Sequence, residues 1–339
     1  MPQLSRRTIL KSTALAAVAP AAVLLPGVAR AAEFKFKIGH DVANTHPLHL
    51  RLAEAAERIK AETQGRFEFQ LFPNNQLGGD TDMLGQVRSG GLEMAVLPDL
   101  IIGTLVPVTS ITGMGFAFSG YADVWKALDG DLGAHIRGAM AKANLYAPER
   151  VWDNGFRQIT SNGKPINSPD DLRGFKIRVP ASQLWVSMFK AFNAAPTALN
   201  SSELYAALQT NVVEGQENPL SNIFIQKTFE VQKYCSFTNH MWSSYWPVAS
   251  RRTWNALPKD IQQVVAKNLN QAALEQRKDI ETLNGSLEKT LTEKGMVFSR
   301  PQLKPFREAL NKAGFYTEWR KKFGDESWAI LAKYAHGVA

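Results

Sequence analysis

Two hydrophobic periodicities alternate along the first third of the chain. Segments with apolar side chains at every second position, or nearly all apolar, predict strands, and apolar side chains three and four residues apart predict helices. The predicted order is strand 34–40, helix 48–62, strand 66–72, helix 80–89 and strand 92–97. Such alternation is typical of a parallel α/β sheet, which binds ligands at the carboxyl ends of its strands. His40, Asp41 and Asp99 lie at or just after strand ends, so we expect them near a binding crevice.

A second group of short strands begins with residues 175–179, which alternate apolar and charged side chains between Gly174 and Pro180. This pattern predicts a half-buried strand with Arg178 at its end. Pro180 ends the ladder because it has no N–H to donate. The guanidinium of Arg178 can then project over the sheet edge and bind a carboxylate with two hydrogen bonds. A structural acid such as Glu217 is the alternative partner.

Two further polar side chains accompany Arg178. Arg157 lies in a predicted strand at 151–157, and Asn218 follows the segment 212–217. Two permanently charged groups and one carboxamide suit an organic acid. Asn218 has a plainer interpretation as a turn residue, because Pro219 follows it.

Four blocks around these residues resemble the signature segments of the DctP family, the periplasmic substrate-binding proteins of TRAP transporters. They are NGFRQITSN at 154–162, KIRVP at 176–180, ELYAALQT at 203–210 and EGQENPL at 214–220. The similarity extends from about Phe34 to the C-terminal helices. It implies that Arg178 makes the main salt bridge to a substrate carboxylate and that Arg157 and Asn218 assist.

The same resemblance implies an α/β, two-domain hinged periplasmic binding protein fold with a long helix spanning both domains. An uninterrupted helical pattern from Pro258 to about Lys294 fits that helix, and a coiled-coil arm is the other interpretation. Residues 247–251 are predicted to return as a strand, and 302–313 and 325–336 as closing helices. We expect domain I to comprise 32–154 plus 244–283, and domain II 155–243 plus 284–339.

The first 31 residues resemble an export signal. SRRTILK at 5–11 is similar to a twin-arginine motif, an apolar run continues to Leu25, and Ala29 to Ala31 form a small-residue site. These features predict cleavage before Ala32 and a periplasmic protein. A general secretory signal is one alternative. A membrane anchor is another, although the apolar run of roughly 14 residues is short for a span of about 20.

Composition agrees with an exported two-domain protein. At 339 residues and 45% hydrophobic, the chain can bury two cores. Removing the signal's four basic residues leaves 35 basic against 31 acidic side chains, a mild balance that gives no reason to expect nucleic acid. Cys235 is the only cysteine, so no disulfide forms within the chain, and we expect a buried thiol.

Motifs for catalysis and cofactors are missing from the sequence. The chain has no phosphate loop, dinucleotide fingerprint, Gly-x-Ser-x-Gly or His-Glu-x-x-His, so we expect no cofactor and no catalytic residues. His46 and His49 have a spacing that could bind metal, but no third ligand is near in sequence, so we expect no metal. A secreted hydrolase or lyase is the enzyme alternative, for which only His40, Asp41 and His240 could supply a base.

The aromatic residues bear on the substrate. Trp152, Trp242 and Trp246 lie near the predicted crossings between domains, where an indole could form a flat wall for a ligand or simply pack in a core. We therefore expect a monocarboxylate with an aromatic or hydroxylated body to bind more tightly than succinate or malate. The expected partners are this small carboxylate and the membrane subunits of a TRAP transporter, with the chain a monomer. A binding subunit that reports to a sensor kinase is the alternative.

Overall fold

The computed structural model describes residues 31–336. The predicted export signal, residues 1–31, therefore falls outside the described residues except for Ala31. Between residues 31 and 336 none of the helices combines the length and the apolar character that a membrane crossing requires.

Strands and helices alternate through most of the described chain. The strands are β1 (Phe34–His40), β2 (Phe67–Phe72), β3 (Met94–Pro98), β4 (Leu145–Tyr146), β5 (Trp152–Phe156), β6 (Gln158–Ser161), β7 (Lys176–Val179), β8 (Ala195–Ala198), β9 (Gly215–Asn218), β10 (Tyr234–Ser236), β11 (Trp242–Ser250) and β12 (Val297–Ser299). The helices are α1 (Pro47–Glu62), α2 (Asp80–Ser89), α3 (Asp99–Ile102), α4 (Tyr121–Leu128), α5 (Asp131–Lys142), α6 (Gln183–Ala191), α7 (Leu204–Gln209), α8 (Leu220–Ile225), α9 (Arg251–Asn255), α10 (Lys259–Glu293), α11 (Lys304–Lys312), α12 (Phe315–Phe323) and α13 (Asp325–Ala332).

The strands form two six-stranded sheets. Sheet I has the order β2-β1-β3-β11-β4, with β5 also paired to β11, and sheet II has the order β12-β10-β6-β9-β7-β8. In sheet I, β1 is parallel to β2 and β3, as the alternation of strands and helices predicts. In sheet II, β7 is parallel to β8 and β9. Each sheet therefore collects the carboxyl ends of several parallel strands along one edge.

The chain passes between the sheets at closely spaced points. β5 of sheet I ends at Phe156 and β6 of sheet II begins at Gln158, so Arg157 alone links them. The chain crosses a second time between β10 of sheet II and β11 of sheet I. Met241, immediately before β11, accepts a hydrogen bond from the backbone N–H of Arg157, so the two crossings are adjacent. The long helix α10 is a third connection, because it packs on α1 beside sheet I and on α8 beside sheet II.

An irregularity in the β5–β11 ladder lies beside this crossing. Ser243 pairs with Gly155, whereas Ser244 pairs with Asp153, so Asn154 is an extra residue on β5. A β-bulge of this kind bends the strand and redirects a side chain. Gly155 has φ +121°, a conformation that L side chains rarely adopt, and it allows the bend.

Two sequence-based boundaries were wrong in this region. Arg157 does not lie within a strand but between two of them. The return strand begins at Trp242 and not at Pro247, and Arg251 already begins α9. Pro247 lies within β11, between the residues that pair with β5 and those that pair with β4. Because Pro247 itself pairs with neither of these two strands, the missing N–H of proline is tolerated there. The domain boundaries given above stay a prediction.

Candidate functional site

Arg178 lies near the carboxyl end of β7, on the edge that faces sheet I. Its side chain is 3% exposed, and its Nε and Nη2 atoms donate to the backbone carbonyl of Leu199 at 3.0 and 2.6 Å. Burial lowers the pKa of Arg178 to about 10, although Glu217 opposes part of that shift. Among the described residues Arg178 forms no salt bridge, so no bonded carboxylate neutralises its charge.

Arg157 is in the opposite situation. Its Nε and Nη2 atoms donate to the two carboxylate oxygens of Glu217 at 2.5 and 2.8 Å, and both side chains are buried. Glu217 also contacts the imidazole of His240 at 3.1 Å. Burial by itself raises the pKa of Glu217, but the charge of Arg157 and the hydrogen bonds from His240 and Arg157 together outweigh it and hold that pKa at about 2. Burial lowers the pKa of His240, so the pair is Arg157 and an ionised Glu217.

Asn218 is the last residue of β9; it contacts Arg157 and lines the same cavity as Arg178. Its Oδ1 accepts a hydrogen bond from Nη2 of Arg157 at 3.0 Å, and its Nδ2 donates to Oε1 of Gln216 at 2.7 Å. Because β9 runs parallel to β7, Asn218 and Arg178 reach the same edge of sheet II. The structure therefore brings together the three residues that the sequence singled out in domain II.

Two carboxylates of sheet I face these arginines. Asp41 follows the carboxyl end of β1 and is 8% exposed, and Asp80 is the first residue of α2 and is 4% exposed. Burial raises the pKa of Asp41 to about 6, against a hydrogen bond from Tyr245. Burial and then the charge of Asp41 raise the pKa of Asp80 well above its ordinary value. The charge of Arg178 lowers both pKa values.

These groups line one narrow cavity between the sheets. Its volume is about 20 Å³. The lining from sheet I comprises Asp41, Asp80, Pro98, Leu100, Asn154 and Tyr245, and that from sheet II comprises Arg157, Arg178, Pro180, Ser201, Asn218, Asn222 and Gln226. Carboxyl strand ends supply both walls, so the arrangement is that of a ligand crevice in an α/β protein.

Four residues expected at the site are not in this lining. His40 is buried behind it, with Nε2 at 3.0 Å from Nδ1 of His49. Trp152 packs in the core between sheet I, α1 and α10. Trp242 donates through Nε1 to Asp153 at 2.9 Å and stacks edge-on against Trp125, and Trp246 lies in the same core cluster as Trp242. Indoles at these buried strand positions pack against neighbouring elements and do not form a wall of the cavity.

The cavity also contains residues that sequence reasoning missed. Asp80 is the first residue of α2 after the N-cap Gly79, and its buried carboxyl group lines the cavity. Asn154 lies on the β5 bulge, and its Oδ1 accepts from Nδ2 of Asn222 at 3.0 Å. Tyr245 contributes a hydroxyl from β11. An acidic residue at a helix start is ordinarily a cap, so the sequence carried little signal for Asp80.

Other buried polar groups are accounted for within the fold. Asp99 accepts from Thr112 and from the backbone and hydroxyl of Ser244, and burial raises its pKa to about 6. No group of three or more metal-ligating side chains is found among residues 31–336. Cys235 is buried, and burial raises the pKa of its thiol.

Comparison with known proteins identifies the fold and the family. The sequence profile of the family described as bacterial extracellular solute-binding protein, family 7 (DctP), matches residues 38–321. This chain belongs to that family. The expected DctP membership is therefore confirmed, and members of this family are periplasmic in bacteria.

Individual DctP relatives match most of the chain. The C4-dicarboxylate-binding periplasmic protein DctP of Vibrio cholerae is 33% identical over 272 residues, which are 77% of this chain and 81% of the relative. A TRAP periplasmic solute-binding protein from Sulfurospirillum deleyianum, solved with bound succinate, has a TM-score of 0.83 and 29% identity, covering 89% of this chain and 98% of the other. One from Polaromonas, bound to D-erythronate, has a TM-score of 0.84 and 29% identity, covering 88% and 98%.

These likenesses also confirm the predicted fold class. The chain is a TRAP-type solute-binding protein with the two-domain α/β fold, and α10, at 35 residues, is the long helix that spans both domains. The assignments of individual ligand-binding residues stay predictions.

Proposed function

We propose that this DctP protein binds an organic acid between its two sheets and holds the acid's carboxylate on Arg178. The observation that carries the proposal is the contrast between two buried arginines. Arg157 has its own carboxylate in Glu217, whereas Arg178 donates only to a backbone carbonyl. A carboxylate ligand supplies the missing charge and accepts charge-assisted hydrogen bonds from the rest of the guanidinium fork.

Arg157 and Asn218 support the carboxylate in this proposal. The Arg157–Glu217 pair fixes the amide of Asn218 through the Nη2–Oδ1 hydrogen bond at 3.0 Å. A fixed amide beside Arg178 orients the bound acid without adding net charge. Asp41 completes the set on the wall from sheet I. His40, Trp152, Trp242 and Trp246 are left out, because they do not line the cavity.

The size of the cavity supports capture by hinge closure. About 20 Å³ admits one water-sized group, whereas small-molecule pockets measure roughly 300–1,000 Å³. An acid therefore gains access only after the two walls separate. The crossing at Arg157 and the bulge at Asn154 provide short linkers for that motion. Ligand contacts on both walls then shift the population back toward the closed state and exclude water from the ion pair.

The export-signal pattern of the sequence and membership of the DctP family support the rest of the proposed role. The signal is removed before Ala32, the mature protein works in the periplasm as a monomer, and the closed complex delivers its acid to the membrane subunits of a TRAP transporter. N-terminal sequencing of protein from a periplasmic fraction tests the cleavage site. We propose no catalysis, so a bound acid should be recovered chemically unchanged by mass spectrometry after long incubation. A new product would contradict this part of the proposal.

A titration against a library of organic acids tests the main proposal. We expect at least one acid to raise the melting temperature of the purified protein and to bind with a stoichiometry of one in calorimetry. Neutral amides of the same acids should not bind, because they lack the charge that Arg178 requires. Equal binding of an acid and its amide would overturn the assignment of Arg178.

A further inference from the structure

The cavity has a second chemical feature besides Arg178. Oδ1 of Asp41, Oδ1 of Asp80 and Oδ1 of Asn222 are all buried, and none receives a hydrogen bond from the described residues. All three residues line the same cavity as Arg178. A buried acceptor without a donor costs free energy, so three in one place indicate a function that supplies donors.

The orientation of the Asn222 amide is set by its neighbour. Its Nδ2 donates to Oδ1 of Asn154 at 3.0 Å, which leaves its own Oδ1 as a buried acceptor in a residue that lines the cavity. Asp41 has only a long contact of 3.5 Å from the hydroxyl of Tyr245 to Oδ2. The cavity therefore contains three acceptors without a donor, two from Asp41 and Asp80 opposite Arg178 and one from Asn222 on the wall of Arg178 itself.

We propose, on the basis of the proposed function, that Asp41 and Asp80 select a monocarboxylate whose far end donates hydrogen bonds through hydroxyl or ammonium groups. The ligand's carboxylate lies on Arg178, and its donors meet the unpaired acceptors of Asp41 and Asp80. A dicarboxylate brings a second negative group that supplies no donor, so the buried acceptors stay unpaired. Its charge also makes ionisation of Asp41 and Asp80, which burial already disfavours, more costly still.

The structural basis of this preference differs from the one expected from sequence. The tryptophans were expected to favour a monocarboxylate by forming a flat wall, but they do not line the cavity. The preference now rests on charge and hydrogen-bond complementarity. It therefore concerns donors on the ligand and makes no demand for an aromatic body.

Matched acids of equal chain length provide the test. The four-carbon set is butyrate, D-erythronate, 4-aminobutyrate and succinate, and the six-carbon set is hexanoate, D-gluconate, 6-aminohexanoate and adipate. In calorimetry with the purified protein we expect the hydroxy acid or the amino acid to bind tightest in at least one set. The dicarboxylate should bind at least tenfold more weakly than that acid. A dicarboxylate that binds as tightly, or an unsubstituted acid that does, would overturn the inference.

Asp80→Asn tests the residue directly, because it removes the ionisable carboxyl and keeps the shape. We expect the hydroxy or amino acid to lose about tenfold to a hundredfold in affinity while the dicarboxylate loses nothing, so the preference shrinks by at least tenfold. Asp41→Asn should act in the same direction. Glu57→Gln, an exposed carboxylate on α1, is the matched control and should leave the preference unchanged. A preference that Asp80→Asn and Asp41→Asn both leave within twofold of the original would overturn the inference.

The same experiment separates this inference from the proposed function. If no acid in either set binds, or if Arg178→Lys leaves binding unchanged, the proposed function fails. If acids bind through Arg178 but the dicarboxylate is preferred, only the selection by Asp41 and Asp80 fails.

Discussion

Arg157 and Glu217 form a two-pronged ion pair that is buried at the crossing between the two sheets, with Nη2 and Oε1 at 2.8 Å. The pair joins the linker after β5 to strand β9, and 60 residues separate the two along the chain. Because Glu217 neutralises Arg157, Arg178 is the arginine of this cavity that has no bonded carboxylate among the described residues.

Breaking this pair should cost stability. Glu217→Ala leaves the Arg157 guanidinium buried and without a counter-charge, so we expect the free energy of unfolding to fall by about 3 to 5 kcal/mol. Chemical denaturation measures the change. Glu288→Ala is the matched control, since its partner Arg300 is 64% exposed, and it should cost less than about 1 kcal/mol. Equal effects of the two substitutions would show that the buried pair is not structural.

Arg178→Lys should abolish most ligand binding although the charge is kept. A single ammonium cannot donate to the carbonyl of Leu199 and also grip a carboxylate with two parallel hydrogen bonds. We expect affinity for the tightest acid to fall about tenfold to a hundredfold. Isothermal titration measures it, and Arg173→Lys, at an exposed arginine, is the control. A folded Arg178→Lys protein with full affinity would refute the assignment.

The bulge glycine should be required for its backbone conformation. A Cβ on Gly155 would lie 3.1 Å from Cβ of Pro219, and φ there is +121°. We expect Gly155→Ala to lower the free energy of unfolding by about 1 to 3 kcal/mol. Gly285→Ala, in the exposed interior of α10 with open space around it, should instead stabilise by about 0.5 to 1 kcal/mol. Stabilisation by both substitutions would mean that the bulge imposes no strain on an alanine.

The pH dependence of stability should reveal the buried carboxyl of Asp153. Burial raises its pKa to about 7, although Tyr121 and Trp242 oppose the shift with hydrogen bonds and Arg277 with its charge. Between the ordinary value of 3.8 and about 7, the folded protein holds a proton that the unfolded chain releases, so this group's contribution to stability falls as pH rises.

Asp153→Asn removes that titration. Relative to the unsubstituted protein, the variant should gain stability as the pH rises from 4 to 8, because the unsubstituted protein has to ionise a buried carboxyl. Urea unfolding at both pH values gives the difference. Asp170→Asn, at an exposed carboxyl, controls for the substitution itself. If the difference in unfolding free energy between the two proteins did not change with pH, Asp153 would not be the group that holds this proton.

Local features of this protein were largely predictable. Strand β1, helix α2 and the 35-residue helix α10 begin and end within a residue or two of their predicted positions, because periodicity, glycine and proline act over a few neighbouring residues. Short strands such as β9 and β12 were missed, since four or three residues hold too little pattern to be recognised.

The sequence by itself predicted the export signal. It also determined the α/β alternation, the long helix and the three polar residues of the second domain, because each of these is a local pattern or a recognisable block. Only the tertiary structure decided which arginine is neutralised, that Asp80 lines the cavity and that Trp152, Trp242 and Trp246 do not. Those outcomes depend on contacts such as Trp242 with Asp153, 89 residues apart. Burial and charge pairing are set by which distant segments pack together, and no local pattern carries that information.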